Sequence, residues 1–117
     1  MNTIIIWHNP RCSKSRDSFK LLEEKGIDAT VVNYLDEVPT KEEIKNILTL
    51  LGMGSAQELM RTKETIYKEL NLKDETSEDK LIEAMIHHPK LIERPIVIKG
   101  NRAVIGRPIE KVMALIG

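Results

Sequence analysis

The chain holds a single cysteine, Cys12, in the stretch "HNPRCSKSR" (residues 8–16). A thiol acts as nucleophile or redox centre through its thiolate, so its neighbours bear on its chemistry. Arg11, Lys14 and Arg16 bring cations close in sequence, His8 is a titratable neighbour, and Ser13 and Ser15 offer hydroxyls that cap a helix or donate to sulfur. Such surroundings bring a thiol from ~8.5 into a range of roughly 4 to 7. From the residues alone two readings of Cys12 stay open, an activated nucleophile and a small buried hydrophobe. Its polar and charged neighbours argue against burial and favour the nucleophile. His8 reads equally as a polar strand end and as a catalytic neighbour. Arg11, Lys14 and Arg16, taken singly, read as solvated helix-end charges.

Three further arginines stand at notable places. Arg94 directly precedes Pro95, Arg107 directly precedes Pro108, and Arg61 lies in "ELMRTKE". Alone, each is an exposed loop residue. Converging on one thiolate, they would form a site for a tetrahedral oxyanion, because a guanidinium fork pairs two oxygens at once. Sequence spacing does not establish convergence. His87 and His88 make no metal site: adjacent histidines at a helix end point to different faces, and no cysteine or acidic residue stands at ligand spacing. Met53, Met60, Met85 and Met113 fall at helical positions and read as core filler.

These residues need elements to position them. "IIIW" (residues 4–7) is short, continuous and β-branched, the pattern of a buried strand. "SKSRDSFKLLEEKG" reads as a helix stopped by Gly26, and "TVVNYL" (residues 30–35) as a second strand. Strand, helix, strand with short links predicts a parallel βαβ unit, with Cys12 at the turn from strand to helix. There, free N–H groups and the positive end of the helix dipole stabilise an anion. Thr40 with Glu43, and Ser55 with Glu58, are capping boxes ahead of helices. "KETIYKEL" and "SEDKLIEAMIHH" continue the helical block, the second stopped by Pro89. After Pro95, "IVIKG" and "AVIG" flank Gly100-Asn101, the pattern of a type II′ hairpin. "PIEKVMALI" closes as a helix with Pro108 in its first turn. The order β-α-β, helical block, β-β-α predicts an α/β fold: one domain over residues 1–117, a four-stranded mixed sheet with helices on both faces, and a helical insertion over approximately 40–92.

The totals bound the function. The 117 residues are 41% apolar and 31% charged, and eighteen basic residues cancel eighteen acidic ones. A neutral chain has no global field to collect nucleic acid or anionic membrane, so anion binding must be local. No apolar run approaches the ~20 residues that span a bilayer, and the first residues lack a signal-peptide pattern. A single cysteine excludes an internal disulfide. A cytoplasmic monomer is the expectation.

"HNPRCSKSR", "SAQELMR", "ERPIVI" and "IGRP", in this order and across essentially the whole chain, resemble the glutaredoxin-coupled arsenate reductase family in its short chromosomal bacterial type. The resemblance implies a thioredoxin-like fold with a helical insertion and a cis Pro95. It implies Cys12 as nucleophile, His8 and Ser15 as its catalytic helpers, and Arg61, Arg94 and Arg107 as the oxyanion-binding arginines. It further implies glutathione as co-substrate, glutaredoxin as partner, and no bound cofactor or metal. Two other functions stay in view on the same fold: a general glutathione-linked thiol reductase and a redox-sensing regulator. The second is weakened by Ser15, which stands where a two-cysteine switch would need its second thiol.

Overall fold

The computed structural model describes residues 3–116. They fall into two compact units: one runs through Glu37 and resumes at Arg94, and the other is Val38–Glu93.

The first unit is built on four strands: β1 (Ile4–Trp7), β2 (Thr30–Val32), β3 (Ile96–Lys99) and β4 (Arg102–Ile105). Their order in the sheet is β2-β1-β3-β4. β1 pairs parallel with β2, and antiparallel with β3, which pairs antiparallel with β4. With α1 (Ser13–Glu24) joining β1 to β2 and α5 (Glu110–Ile116) following β4, this is the thioredoxin-like fold. The period-2 alternation of a strand assigns the faces. Ile4 and Ile6 of β1 and Val97 of β3 share one face and form a cluster with Leu22 of α1 and Val112 and Leu115 of α5. Each such side chain stabilises the fold by about 1.5–3 kcal/mol. Trp7, Ile96 and Ile98 on the other face are buried as well.

Details depart from the sequence expectation where polar side chains intervene. β2 ends at Val32 rather than Leu35, because Asn33 turns the chain: its carbonyl accepts the N–H of Asp36 and of Glu37 at 3.0 and 2.8 Å. Its side-chain oxygen accepts the N–H of Leu35 at 3.3 Å. Pro108 stands outside α5, in a turn where its carbonyl accepts the Lys111 N–H. Met113 is not core filler: it is 46% exposed, because Val112 and Leu115 carry the buried stripe of α5. The hairpin matches the expected turn, with Gly100 at φ 60° and Asn101 outside the left-handed region.

Gly106, between β4 and α5, is a position where only glycine fits. A Cβ there would lie 2.6 Å from Ser18 Oγ, 2.8 Å from Pro95 Cγ and 3.1 Å from Val112 Cγ2. Gly106→Ala is expected to lower stability by about 1–3 kcal/mol, the usual cost of overpacking. The urea midpoint at constant slope measures it.

The second unit holds α2 (Lys41–Leu51), α3 (Thr65–Glu69) and α4 (Glu78–His87), with single-turn helices at Ala56–Leu59, Leu72–Asp74 and Pro89–Leu91. Both capping boxes are present. α2 packs on α4, and Ile44, Ile47, Leu81 and Met85 are fully buried. Glu78 ties the start of α4 to the Ser55 cap by accepting the Ala56 N–H at 3.1 Å and the Ser55 hydroxyl at 3.2 Å. Among the described residues, no helix is long and apolar enough to cross a membrane.

Candidate active site

Cys12 is the N-cap residue of α1, with extended backbone (φ −97°, ψ 124°). The loop that delivers it from β1 is fixed by its own polar groups. The Asn9 carbonyl accepts the Cys12 N–H at 3.0 Å, and the Asn9 side-chain oxygen accepts the Arg11 N–H at 3.0 Å. Arg16 donates to the Pro10 carbonyl at 3.0 Å. The α1 first turn carries no acidic residue that would oppose an anion at its N-terminus.

The thiol itself is buried, contrary to the expectation drawn from its neighbours. Arg11, Ser13, Lys14 and Arg16 are exposed, while Cys12 turns inward at the helix start. Charged neighbours in sequence therefore do not expose a side chain when the backbone directs it to the opposite side.

Two arginines from distant sequence meet it. The Arg107 guanidinium donates through one terminal nitrogen to Cys12 Sγ at 3.3 Å. Its Nε donates to the Arg94 carbonyl at 2.7 Å, which fixes the plane of the fork. Gly106 N–H donates to the Pro95 carbonyl at 2.9 Å and brings the two Arg-Pro segments together. Both Arg94-Pro95 and Arg107-Pro108 are cis. Burial pushes the Cys12 thiol up, but the Ser15 N–H, the Arg94 side chain and the Lys14 N–H outweigh it and hold the thiol below its ordinary value. The charge that favours the thiolate thus comes from Arg94. Arg11, Lys14 and Arg16, the cations nearest in sequence, are exposed, as solvated helix-end charges are, and Arg16 is turned to the Pro10 carbonyl.

His8 and Ser15 form a second, adjoining arrangement. Both are buried, and His8 Nδ1 lies 2.6 Å from Ser15 Oγ, which also accepts the Asn9 N–H at 2.9 Å. The His8 ring packs against Phe19 at 5.3 Å between centroids. Burial, helped by Arg16, lowers the His8 pKa below the ordinary histidine value, so the ring is neutral at pH 7. The unfolded chain binds the proton first on acidification, so stability is full above the ordinary histidine value and falls as pH drops toward the lowered one. The urea midpoint is expected to decline across that interval, and His8→Gln to remove this component. NMR titration of the imidazole gives the pKa directly.

Arg61 belongs to the helical unit, where it donates to Glu93 at 2.9 Å and to Glu64 at 3.4 Å. Its N–H donates to the Leu91 carbonyl at 2.7 Å, next to the Met60–Ile92 bridge. Sequence reasoning missed Asn9, whose side chain shapes the thiol loop; an asparagine before proline is the turn signal that marks it. Among the described residues, no group of three or more histidines, cysteines and carboxylates is placed to hold a metal.

The arrangement offers an ionisable sulfur at a helix N-terminus, under two guanidiniums. It suits attack by sulfur on an electrophile that carries negative oxygens.

Comparison with known proteins agrees. The model of the ArsC family matches residues 7–115. The chain is 49% identical to an arsenate reductase of Neisseria meningitidis over 117 residues, covering 99% of this chain and 100% of the relative. It is 52% identical to the protein YfgD of Escherichia coli over 113 residues, covering 96% and 95%. The solved structure of an arsenate reductase from Vibrio cholerae superposes with a TM-score of 0.93 at 48% identity, covering 97% of each chain.

Proposed function

This chain belongs to the ArsC family, and from that premise we propose that it is an arsenate reductase using glutathione as co-substrate and glutaredoxin as partner. The observation that carries the reading is the Cys12 sulfur held by Arg107 at 3.3 Å, with its thiolate favoured by Arg94.

The Cys12 thiolate attacks the arsenic of bound arsenate. An As–S bond forms, an As–O bond breaks, and the oxygen leaves as water after protonation. Arg94 and Arg107 neutralise the remaining oxygens and the charge that develops during attack. Glutathione thiolate then attacks the adduct. Two electrons pass from the two sulfurs to arsenic, arsenite leaves, and a Cys12–glutathione disulfide remains. One arsenic acid and two thiols thus give one arsenious acid, one disulfide and one water. Glutaredoxin removes the glutathionyl group by thiol–disulfide exchange. A lone cysteine fits this scheme, because the resolving thiols come from outside.

His8 acts here as a neutral partner that orients Ser15, and Ser15 in turn presents its N–H to the sulfur. For Arg61, an oxyanion-binding role rests on the family resemblance alone. The protein works in the cytoplasm as a monomer and needs no bound cofactor. The test is NADPH consumption with arsenate, glutathione, glutaredoxin and glutathione reductase. Arsenate-dependent turnover supports the reading. Turnover of small disulfides without any response to arsenate would assign the chain to general thiol exchange instead.

A further inference from the structure

A cavity of about 380 Å³ opens beside the thiol site, lined by Lys14 and Asp17 of α1, by Gly106 and Arg107 ahead of α5, and by Glu110 at its start. Its volume is in the range of small-molecule sites, roughly 300–1,000 Å³. Arg107 belongs to both places: it lines the cavity and donates to Cys12 Sγ. Whatever occupies the cavity is therefore one side chain away from the nucleophile.

The lining is charged in both signs. Lys14 and Arg107 are cationic, Asp17 and Glu110 anionic. The side chains of Lys14, Asp17 and Glu110 make no ion pair with one another or with other described residues. Three unpaired charges around one cavity suit a ligand that brings the complementary set. Arsenate is a poor occupant, because two carboxylates would face its negative oxygens. A simple cation is equally poor beside Lys14 and Arg107. A zwitterion satisfies all of them, its ammonium toward Asp17 and Glu110 and its carboxylate toward Lys14.

We infer that this cavity is the subsite for the amino-acid end of a low-molecular-weight thiol, the γ-glutamyl group of glutathione. The inference rests on the proposed thiol-dependent reaction for the identity of its occupant. Arg107 joins the two places, since it lines the cavity and donates to the Cys12 sulfur, so a thiol anchored here is held next to the reacting centre.

The test needs neither arsenate nor turnover. The full chain, labelled with ¹⁵N, is titrated with S-methylglutathione, which cannot react. Amide shifts are expected at Lys14, Asp17, Gly106 and Glu110. N-acetylation of the ligand, which removes its ammonium, is expected to weaken binding about tenfold, the order of one charge-assisted contact. In Asp17→Asn/Glu110→Gln, the acetylated and free ligands should bind alike. Shifts confined to other surfaces, no saturable shift at millimolar ligand, or equal affinity of both ligands for the wild type would each overturn the subsite. Failure here leaves the arsenate chemistry of Cys12 standing, and failure of arsenate turnover leaves the subsite standing.

Discussion

Cys12→Ser is expected to abolish arsenate reduction, with kcat/KM at least about a thousandfold lower, because a serine hydroxyl is neither ionised at neutral pH nor able to end as a disulfide. The loss has two separable parts. The first is nucleophilicity, since the N-terminus of α1 and Arg94 lower the pKa of a thiol but leave an alcohol far above the working range. The second is electron supply, since one of the two electrons that reduce arsenic comes from this sulfur. Mass spectrometry separates them. Wild type incubated with arsenate and glutathione should gain one glutathionyl group on Cys12, and Cys12→Ser should gain none. The substitution barely changes size, and the fold should survive it. A variant that keeps even a tenth of wild-type turnover would move the chemistry away from Cys12.

Removal of the arginines gives the second large effect. Arg94→Ala is expected to lower kcat/KM for arsenate by about a hundredfold to a thousandfold, the magnitude seen when one pre-positioned donor to a developing oxyanion is removed. It should also raise the Cys12 pKa, because the Arg94 side chain is among the causes that hold the thiol below its ordinary value. The rate of alkylation by iodoacetamide against pH reads this shift without any substrate. The wild-type curve should rise at lower pH than that of Arg94→Ala.

The same change alters stability with pH. The folded Cys12 pKa lies below the unfolded one, so the ionised thiol adds stability above the ordinary thiol value, and this part fades as pH falls through the lowered folded value. Arg94→Ala narrows that window from its acid side. Arg107→Lys should behave almost like Arg107→Ala. A single ammonium cannot hold the Arg94 carbonyl at 2.7 Å and Cys12 Sγ at 3.3 Å together, as the two ends of a fork do.

Some of this was legible in the sequence for local reasons. Four apolar residues at 4–7, a helix stopped by Gly26 and a glycine-asparagine turn are signals carried within a few residues, and each element appeared where expected. The place of Cys12 at the strand-to-helix turn is a consequence of chain order and is local in the same way. Both capping boxes, at Thr40 and Ser55, close over three residues. The polar turn at Asn33, which shortened β2, is also local; the β-branched run beside it masked the signal.

What surrounds the sulfur was decided by the tertiary structure. The antiparallel pairing of β3 with β1 and with β4 brings the two Arg-Pro segments to the same end of the sheet. Only then does Arg107 reach Cys12 and Arg94 help to keep it ionised. Arg11, Lys14 and Arg16 are closer in sequence, but they are exposed, while Cys12 and Ser15 at the same helix start are buried. The direction of a charge depends on the backbone path, and the partner that counts is the one that long-range strand pairing delivers. The sequence alone determined which residues were capable of the chemistry; strand pairing decided which of them share the site, because convergence is a property of three dimensions that spacing along the chain does not contain.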